Sequence, residues 1–388
     1  MAWDLDTTNV GTALPLEGVR VLDLSRVLAG PFCAMIAGDL GADVVKVESP
    51  GGDPVRALGP PFFGGDATYF LAVNRHRRNI VADLRDPEDF ARVGELVKLA
   101  DAVVENFLPS QARTLGVDRL RALNPECVWV SIAPATEDGP LADEPSFDLL
   151  AQARSGLMGI TGAPEAPPTK VGAPVADVIT GLYGAVALVT GLFARARGLP
   201  GRHFEAPLLE STMSALINQA QGYLSSGVNP GRLGNDHPSI APYGPVTTAD
   251  GYLIIAVGTD AQFARLVGVL GETQLSGGAE WATNAARVAN RVELRNVLNR
   301  AFARERTDHW LARLGESGIP HAPLLDVAGA FAQDQIAGGD FVGPMTTPHG
   351  ETRAMRSPLR IDGRRPAIRS GPRSLGQDSE AIFGSGHV

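Results

Sequence analysis

The sequence predicts an α/β fold, a parallel sheet with helices on both faces, and room for a second domain. Three observations predict it. Short runs rich in β-branched residues alternate with helix-like runs through the first third of the chain. Strand–helix–strand repeats of this length imply parallel pairing. At 388 residues the chain exceeds what one core ordinarily holds.

The elements follow in order. "VRVLDL" (19–24) reads as the first strand, "PFCAMIAGDLG" (31–41) as a helix and "ADVVKVES" (42–49) as the second strand. "NIVADL" (79–84), a helix opening at "DPEDFARVGELVKLA" (86–100) and "DAVVENF" (101–107) repeat the unit, and "CVWVSIAP" (127–134) adds another strand. Ligands in such sheets bind beyond the carboxyl ends of the strands. That directs attention to "SRVLAGP", "ESPGGDP", "ENFLPS" and "IAPATEDGP".

Further on, Ile179, Leu182, Val186, Val189 and Phe193 recur at spacings of 3, 4, 3 and 4, which is helical. Gly181, Gly184 and Gly191 fall on another side, where a neighbouring backbone could come close. Three glycines cost a helix roughly 1 kcal/mol each relative to alanine, so tight packing would have to offset them. The run reads as a buried, central helix. Gly and Pro density over 198–245 suggests connections between domains, and "DGYLIIAVGTDAQFARLVGVLG" (250–271) starts a new strand–helix unit. In the tail, "SPLRID" is strand-like.

Composition excludes several classes. A formal charge of −9 offers no basic stripe to a nucleic acid, although "NRHRRN" (74–79) could serve one anionic ligand. Cys33 and Cys127 lie in apolar stretches and read as reduced core thiols of a cytoplasmic protein. The seven histidines show neither HExxH nor a Cys/His ligand spacing, so no metal is expected. The first residues lack the pattern of a secretory signal. The longest near-apolar run, 182–194, is shorter than the ~20 residues that span a bilayer, so no membrane is expected.

The phosphate-binding motifs GxxxxGK[ST] and GxGxxG are missing after the first strand, which disfavours an ATP or nicotinamide enzyme. Ala29, Gly30 and Pro31 form either an ordinary tight turn or a backbone ledge for a ligand. Asp177 heads the apolar helix and also has two readings. It is a helix N-cap, or a carboxylate kept ionised by the helix N-terminus and poised to attack an activated carbonyl.

As an ordered set, "GVRVLDLSRVLAGPFCAMIAGDLGADVVKVESPGGDPVR" (18–56), "VVENF" (103–107), "PSFDLLAQARSGLMGITG" (145–162), "VGAPVADVITGLYGA" (171–185) and "LLESTMSAL" (208–216) resembles the family III CoA-transferases. That group includes formyl-CoA transferase, carnitine CoA-transferase and α-methylacyl-CoA racemase. The resemblance runs from about 16 to 380. "SGLMGITG" and "GNDHPSIAPY" (234–243) are most similar to the succinyl-CoA-dependent dicarboxylate transferases of the glutarate and mesaconate type.

The resemblance implies a Rossmann-like large domain built from both chain ends: 1–200, then a linker at 201–225, a small α/β domain at 226–328, and a return over 329–388. It implies an interlocked homodimer, with coenzyme A carried as the acyl-CoA substrate and a small carboxylic acid as acceptor. It makes Asp177 the nucleophile that forms an anhydride and then an aspartyl-CoA thioester. CoA contacts fall on Val27, Leu28, Ala29, Arg77, Asn106 and Phe107. Read locally, Arg77 could equally be a surface arginine and Phe107 a core residue. Ser49 and Thr114 stand where relatives carry arginine, and the loop "APATEDGP" (133–140) departs from the family pattern. Phe147 and Asp148 fall where racemases place a His–Asp pair, so they are expected to line the acyl pocket, Asp148 alternatively being structural. Racemisation needs a base on each face of the α-carbon, and Phe147 cannot move a proton. Transfer is therefore expected, with a racemase or a non-catalytic CoA-binding relative as the alternatives. Gly258 and Thr259, in "GTDAQF", match the loop that shields the aspartyl intermediate, or form a plain strand–helix connection.

Overall fold

Neighbouring residues along each early strand bury on opposite faces of one sheet. Val21, Val44 and Val104 enter one core, whereas Leu22, Val45 and Val103 enter another. This is the period-2 geometry of strands covered on both sides. The computed structural model describes Trp3 and residues 14–384. Its main sheet consists of β1 (Arg20–Asp23), β2 (Asp43–Glu48), β3 (Arg77–Val81), β4 (Ala102–Glu105), β5 (Val128–Ser131) and β6 (His203–Glu205). All pairings are parallel and the order is β3-β2-β1-β4-β5-β6. The connection from β3 crosses the sheet to β4, so the winding direction reverses between β1 and β4.

Four helices position what matters for the site: α1 (Ala29–Asp39), α2 (Pro87–Leu99), α3 (Asp148–Arg154) and α4 (Val175–Ala196). Helix α2 starts cleanly because the Asp86 carboxylate accepts from the Glu88 and Asp89 amides and Pro87 needs no donor. It covers one face through Val93, Leu96 and Val97. Helices α1 and α4 cover the other.

Helix α4 packs closely on its glycine side, as expected, but is not buried all round. Its buried side is the small one, including Gly181, Gly184 and Gly191. A Cβ on Gly181 would lie 2.7 Å from the Ala29 carbonyl oxygen, and one on Gly191 would lie 2.4 Å from a Val128 methyl. The bulky side, Leu182, Val186, Val189 and Phe193, is exposed on this chain. Large side chains could not fit where backbones approach this closely, so periodicity located the apolar stripe but not its partner. At 22 residues α4 is also longer than the 182–194 run, and by length and composition it could span a bilayer.

The chain forms two compact units, described separately. Among the described residues, the first comprises Trp3, 14–157, 171–226 and 335–384, and the second comprises 158–170 and 227–334. In the first, the tail supplies an antiparallel hairpin (Val342–Thr347 and Gly350–Met355) and the helix Ser379–Phe383. The Asp378 carboxylate accepts from the Asn79 amide of β3 at 2.7 Å. "SPLRID" forms no strand, only a bridge at Ile361. Residues 201–225, expected as a linker, carry β6 and two helices (Leu208–Ser214 and Ile217–Ser226). Gly201 there serves close approach to the Glu126–Cys127 backbone rather than flexibility. The second unit has a three-stranded antiparallel sheet (Tyr243–Thr247, Tyr252–Ala256 and His321–Pro323) around a core that includes Trp281, Phe302 and Trp310. Segment 158–170 joins this unit, although the sequence places it in the large domain.

Candidate active site

The carboxyl ends of β1 to β4 open onto a cleft of about 540 Å³. Arg26 enters it from the segment after β1, Ser49 and Asp53 from that after β2, Arg85 from that after β3 and Phe107 from that after β4. This is the reversal point of the winding, where doubly wound sheets take ligands.

A buried ionic layer holds the loops of the cleft. Lys46, 1% exposed, lies 3.0 Å from Asp53 and 3.9 Å from Asp23, and donates to the Ser25 carbonyl at 2.7 Å. Arg56 joins Glu48 at 2.9 Å and Asp66 at 3.1 Å. Burial alone would raise the Asp53 and Glu48 carboxyls, but Lys46 and Arg56 with nearby amides hold both below their ordinary values. Asp53 in turn accepts from the amide of Val27, at 3.2 Å. Val27 has φ 68, a left-handed conformation that a β-branched residue adopts only when its surroundings impose it. Asn106 clamps the preceding residue twice, accepting from the Arg26 amide at 3.0 Å and donating to its carbonyl at 2.8 Å.

The expected contacts thus separate. Val27 shapes the loop, while Leu28 and Ala29 are buried where it turns into α1. Phe107 both lines the cleft and packs on the core. Arg77 is neither a surface residue nor a lining one. It is 3% exposed, lies 3.1 Å from Asp23, and donates to Asn74 and the Pro31 carbonyl. Arg77 belongs to the supporting layer.

Asp177 stands in the first turn of α4, but the N-cap position is Pro174 and no side chain of that residue caps the helix. The acceptor comes from α3. Asp148 Oδ1 accepts from the Ala176 amide at 2.8 Å, and its Oδ2 accepts from Gln152 Nε2 at 2.7 Å. Gln152 is fully buried and accepts from the Val171 amide at 2.8 Å. The capping reading of Asp177 is therefore replaced: Asp148 serves the helix end, and the Asp177 carboxylate has no capping duty. Nor does the helix N-terminus keep Asp177 ordinary. Burial, and then the neighbouring Asp148, push its pKa up to about 7. Tyr69 shares this field, and burial followed by Asp177 and Asp148 pushes its phenol to about 12. Phe147, beside Asp148, is 62% exposed.

The chain matches the model described as CoA-transferase family III over residues 16–379. The chain belongs to CoA-transferase family III. This transferase is 43% identical over 331 residues to the succinate–glutarate CoA-transferase of Agrobacterium fabrum, covering 83% of each chain. It is 39% identical over 337 residues to the succinyl-CoA:glutarate CoA-transferase of Mus musculus, covering 86% of this chain and 77% of that one. Among solved structures, a CAIB/BAIF family protein from Brucella suis superposes with a TM-score of 0.85 at 39% identity, covering 96% of this chain and 99% of that one.

In this transferase, Gly258 and Thr259 lie in the second unit, where they form the cap of the helix Asp260–Leu270. Thr259 Oγ1 accepts from the Gln262 amide at 3.2 Å, and Gln262 Oε1 accepts from both the Gly258 and Thr259 amides. Sequence reading missed Gln152, although its spacing of four from Asp148 was visible and suits a helical side-chain pair. It also missed a cluster of Glu137, His203 and Glu205, whose donor atoms lie within 4.8 Å of one another. His203 has no spare nitrogen to offer a cation. Its Nδ1 lies 2.7 Å from Arg121 and its Nε2 2.8 Å from Ser131.

Proposed function

We propose that this transferase moves CoA from succinyl-CoA to a small carboxylic or dicarboxylic acid through a covalent intermediate on Asp177. Similarity to succinate–glutarate and succinyl-CoA:glutarate CoA-transferases supports the substrate class. The observation that carries the residue assignment is the isolation of Asp177. Among the described residues this mostly buried carboxylate has neither an ion-pair partner nor a helix to cap. It sits four residues, or about 6 Å of helix rise, before Gly181, where even a Cβ would lie 2.7 Å from the Ala29 carbonyl oxygen at the end of the cleft loop. A ligand with its nucleotide end in the cleft and a long flexible arm can thus follow the loop toward Asp177.

The steps balance without an added reagent. The Asp177 carboxylate attacks the thioester carbonyl, a C–O bond forms, the C–S bond breaks, and CoA leaves as thiolate. The thiolate then attacks the aspartyl carbonyl of the anhydride and releases the donor acid as its carboxylate. The acceptor carboxylate attacks the aspartyl-CoA thioester and expels thiolate again. Thiolate finally attacks the acceptor carbonyl of the second anhydride, which frees Asp177. Elevation of the Asp177 pKa makes its ionised form a better nucleophile than an ordinary carboxylate.

Purified protein with succinyl-CoA and a panel of mono- and dicarboxylic acids tests the reading. The expected result is a new acyl-CoA that depends on the acid, with hydroxylamine or borohydride trapping the intermediate on Asp177. Alpha-proton exchange without acceptor would replace transfer by racemisation.

The reading also places the enzyme in the cytoplasm as an interlocked homodimer. Support for the dimer is the exposed row of Leu182, Val186, Val189 and Phe193, an apolar face of the sort subunits cover. Interlocked subunits separate only on unfolding, so folded monomer after nanomolar dilution, measured by mass photometry, would overturn the dimer.

A further inference from the structure

Charge accounting across the cleft leaves one residue over. Its lining includes three carboxylates and two guanidinium groups. Glu48 is answered by Arg56 at 2.9 Å, Asp53 by Lys46 at 3.0 Å and Asp83 by Arg85 at 2.8 Å. Arg26 has no carboxylate partner among the described residues. Its only side-chain hydrogen bond there runs from Nη2 to Gln111 at 3.4 Å, which leaves most of its donor fork open. Ser49 and Thr114, also on the lining, are neutral.

The backbone of Arg26 is the better-held part of the residue. Asn106 grips both its amide and its carbonyl, and the next amide, that of Val27, is held by Asp53 above Lys46. A flexible cation on a fixed anchor faces a cleft whose other walls include Leu84, Phe107 and Leu115. Apolar and aromatic walls suit a flat base, while an open guanidinium fork suits phosphate oxygens.

We infer that Arg26 is the principal phosphate-binding residue for the nucleotide end of CoA, and that Asn106 acts through it as a positioning residue. The inference rests on the CoA-transferase reading and adds to it the residue that meets the phosphates. It assigns that work to neither Arg77, which is buried with Asp23, nor Arg85, whose charge is met by Asp83.

The test is calorimetry at low salt with CoA and 3′-dephospho-CoA, on wild type, Arg26→Ala, Arg26→Lys and Asn106→Ala. Arg26→Ala should weaken CoA about tenfold or more, as loss of a charge-assisted contact does. Arg26→Lys, which keeps the charge but not the fork, should recover part of the loss. Weakening for CoA alone assigns Arg26 to the 3′-phosphate, and weakening for both ligands assigns it to the diphosphate. The salt dependence of binding should flatten in Arg26→Ala. Asn106→Ala should weaken binding in wild type but add little in the Arg26→Ala background, a non-additivity that a merely structural asparagine would not give. Arg26 is exposed, so thermal melting should show an intact fold. Equal CoA affinity in wild type and Arg26→Ala overturns the inference while the CoA-transferase reading stands. Failure of wild type itself to bind CoA removes both, and the two results are distinct.

Discussion

Two acidic neighbourhoods lie within the first unit, and they are built in opposite ways. Beneath the cleft each carboxylate meets a cation: Asp53 and Asp23 meet Lys46 and Arg77, and Glu48 meets Arg56. At the head of α4, Asp177 meets only another carboxylate, Asp148, whose oxygens are already engaged. Both neighbourhoods suffer desolvation. The first offsets it with paired charge and becomes scaffold. The second leaves it uncompensated, and uncompensated desolvation is what sets a carboxylate's reactivity apart.

The largest effect should come from the uncompensated side. Asp177→Asn cannot form an anhydride, so acyl transfer should fall by roughly 10⁴-fold or more, the scale of losing a nucleophile. CoA affinity should stay near wild type, because the cleft and its loops are untouched. Residual turnover above one part in a thousand, in protein free of host transferase, would make Asp177 part of the scaffold and erase the contrast.

The compensated side should fail differently. Lys46→Met leaves Asp23 and Asp53 buried with one cation fewer, which typically costs about 3–5 kcal/mol. Urea unfolding should show the loss as a lower midpoint. A midpoint within error of wild type would mean that the layer is not the scaffold described here.

How much of this was legible in the sequence differs between the same two regions. Strand positions and the helix carrying Asp177 could be read from period and turn chemistry, because these are local. The ionic layer could not. Lys46 and Arg77 sit in strands whose pairing brings them toward Asp23, and only the sheet order shows that. "NRHRRN" read as a basic cluster open to an anionic ligand for the same reason: Arg75 and His76 pair with Asp39 at 2.6 and 3.1 Å, and Arg77 with Asp23. Asp177 was singled out in the sequence, but its surroundings were read by the wrong physics. A helix N-terminus argues for a low pKa, whereas packing supplied burial, a like charge and a borrowed cap. The exposed side of α4 was misread because hydrophobic periodicity does not say whether a stripe is covered by its own chain.

A smaller effect separates the two causes of the Asp177 shift. Asp148→Asn removes the like charge but leaves burial, which is the larger cause. The rising limb of kcat/KM against pH, expected near 7 in wild type, should move to lower pH yet remain above the ordinary carboxylate range. The substituted side chain can still accept from Ala176, but its amide then faces the Gln152 donor. That conflict should cost roughly 1–3 kcal/mol in stability. An unmoved limb would show that Asp148 is a cap and nothing more.

The smallest effect is on stability, and here the two neighbourhoods should have opposite signs. In the folded chain Asp177 titrates near 7, against about 3.9 for an unfolded aspartate. Between those values the folded state holds a proton that the unfolded state has lost. Stability from this group is therefore full below about pH 4 and is lost as pH rises toward 7, after which nothing further changes. Asp53 and Glu48, held low, contribute stability above their unfolded values that is lost as pH falls. Asp177→Asn abolishes the first dependence and leaves the second. Its melting temperature should match wild type near pH 4.5, exceed it by a few degrees at pH 7, and keep that margin at pH 8. The comparison needs no substrate, so it reads the burial of Asp177 apart from its chemistry. A margin that is constant across this range would mean that Asp177 titrates normally in the folded protein, and its reactivity would then need another source.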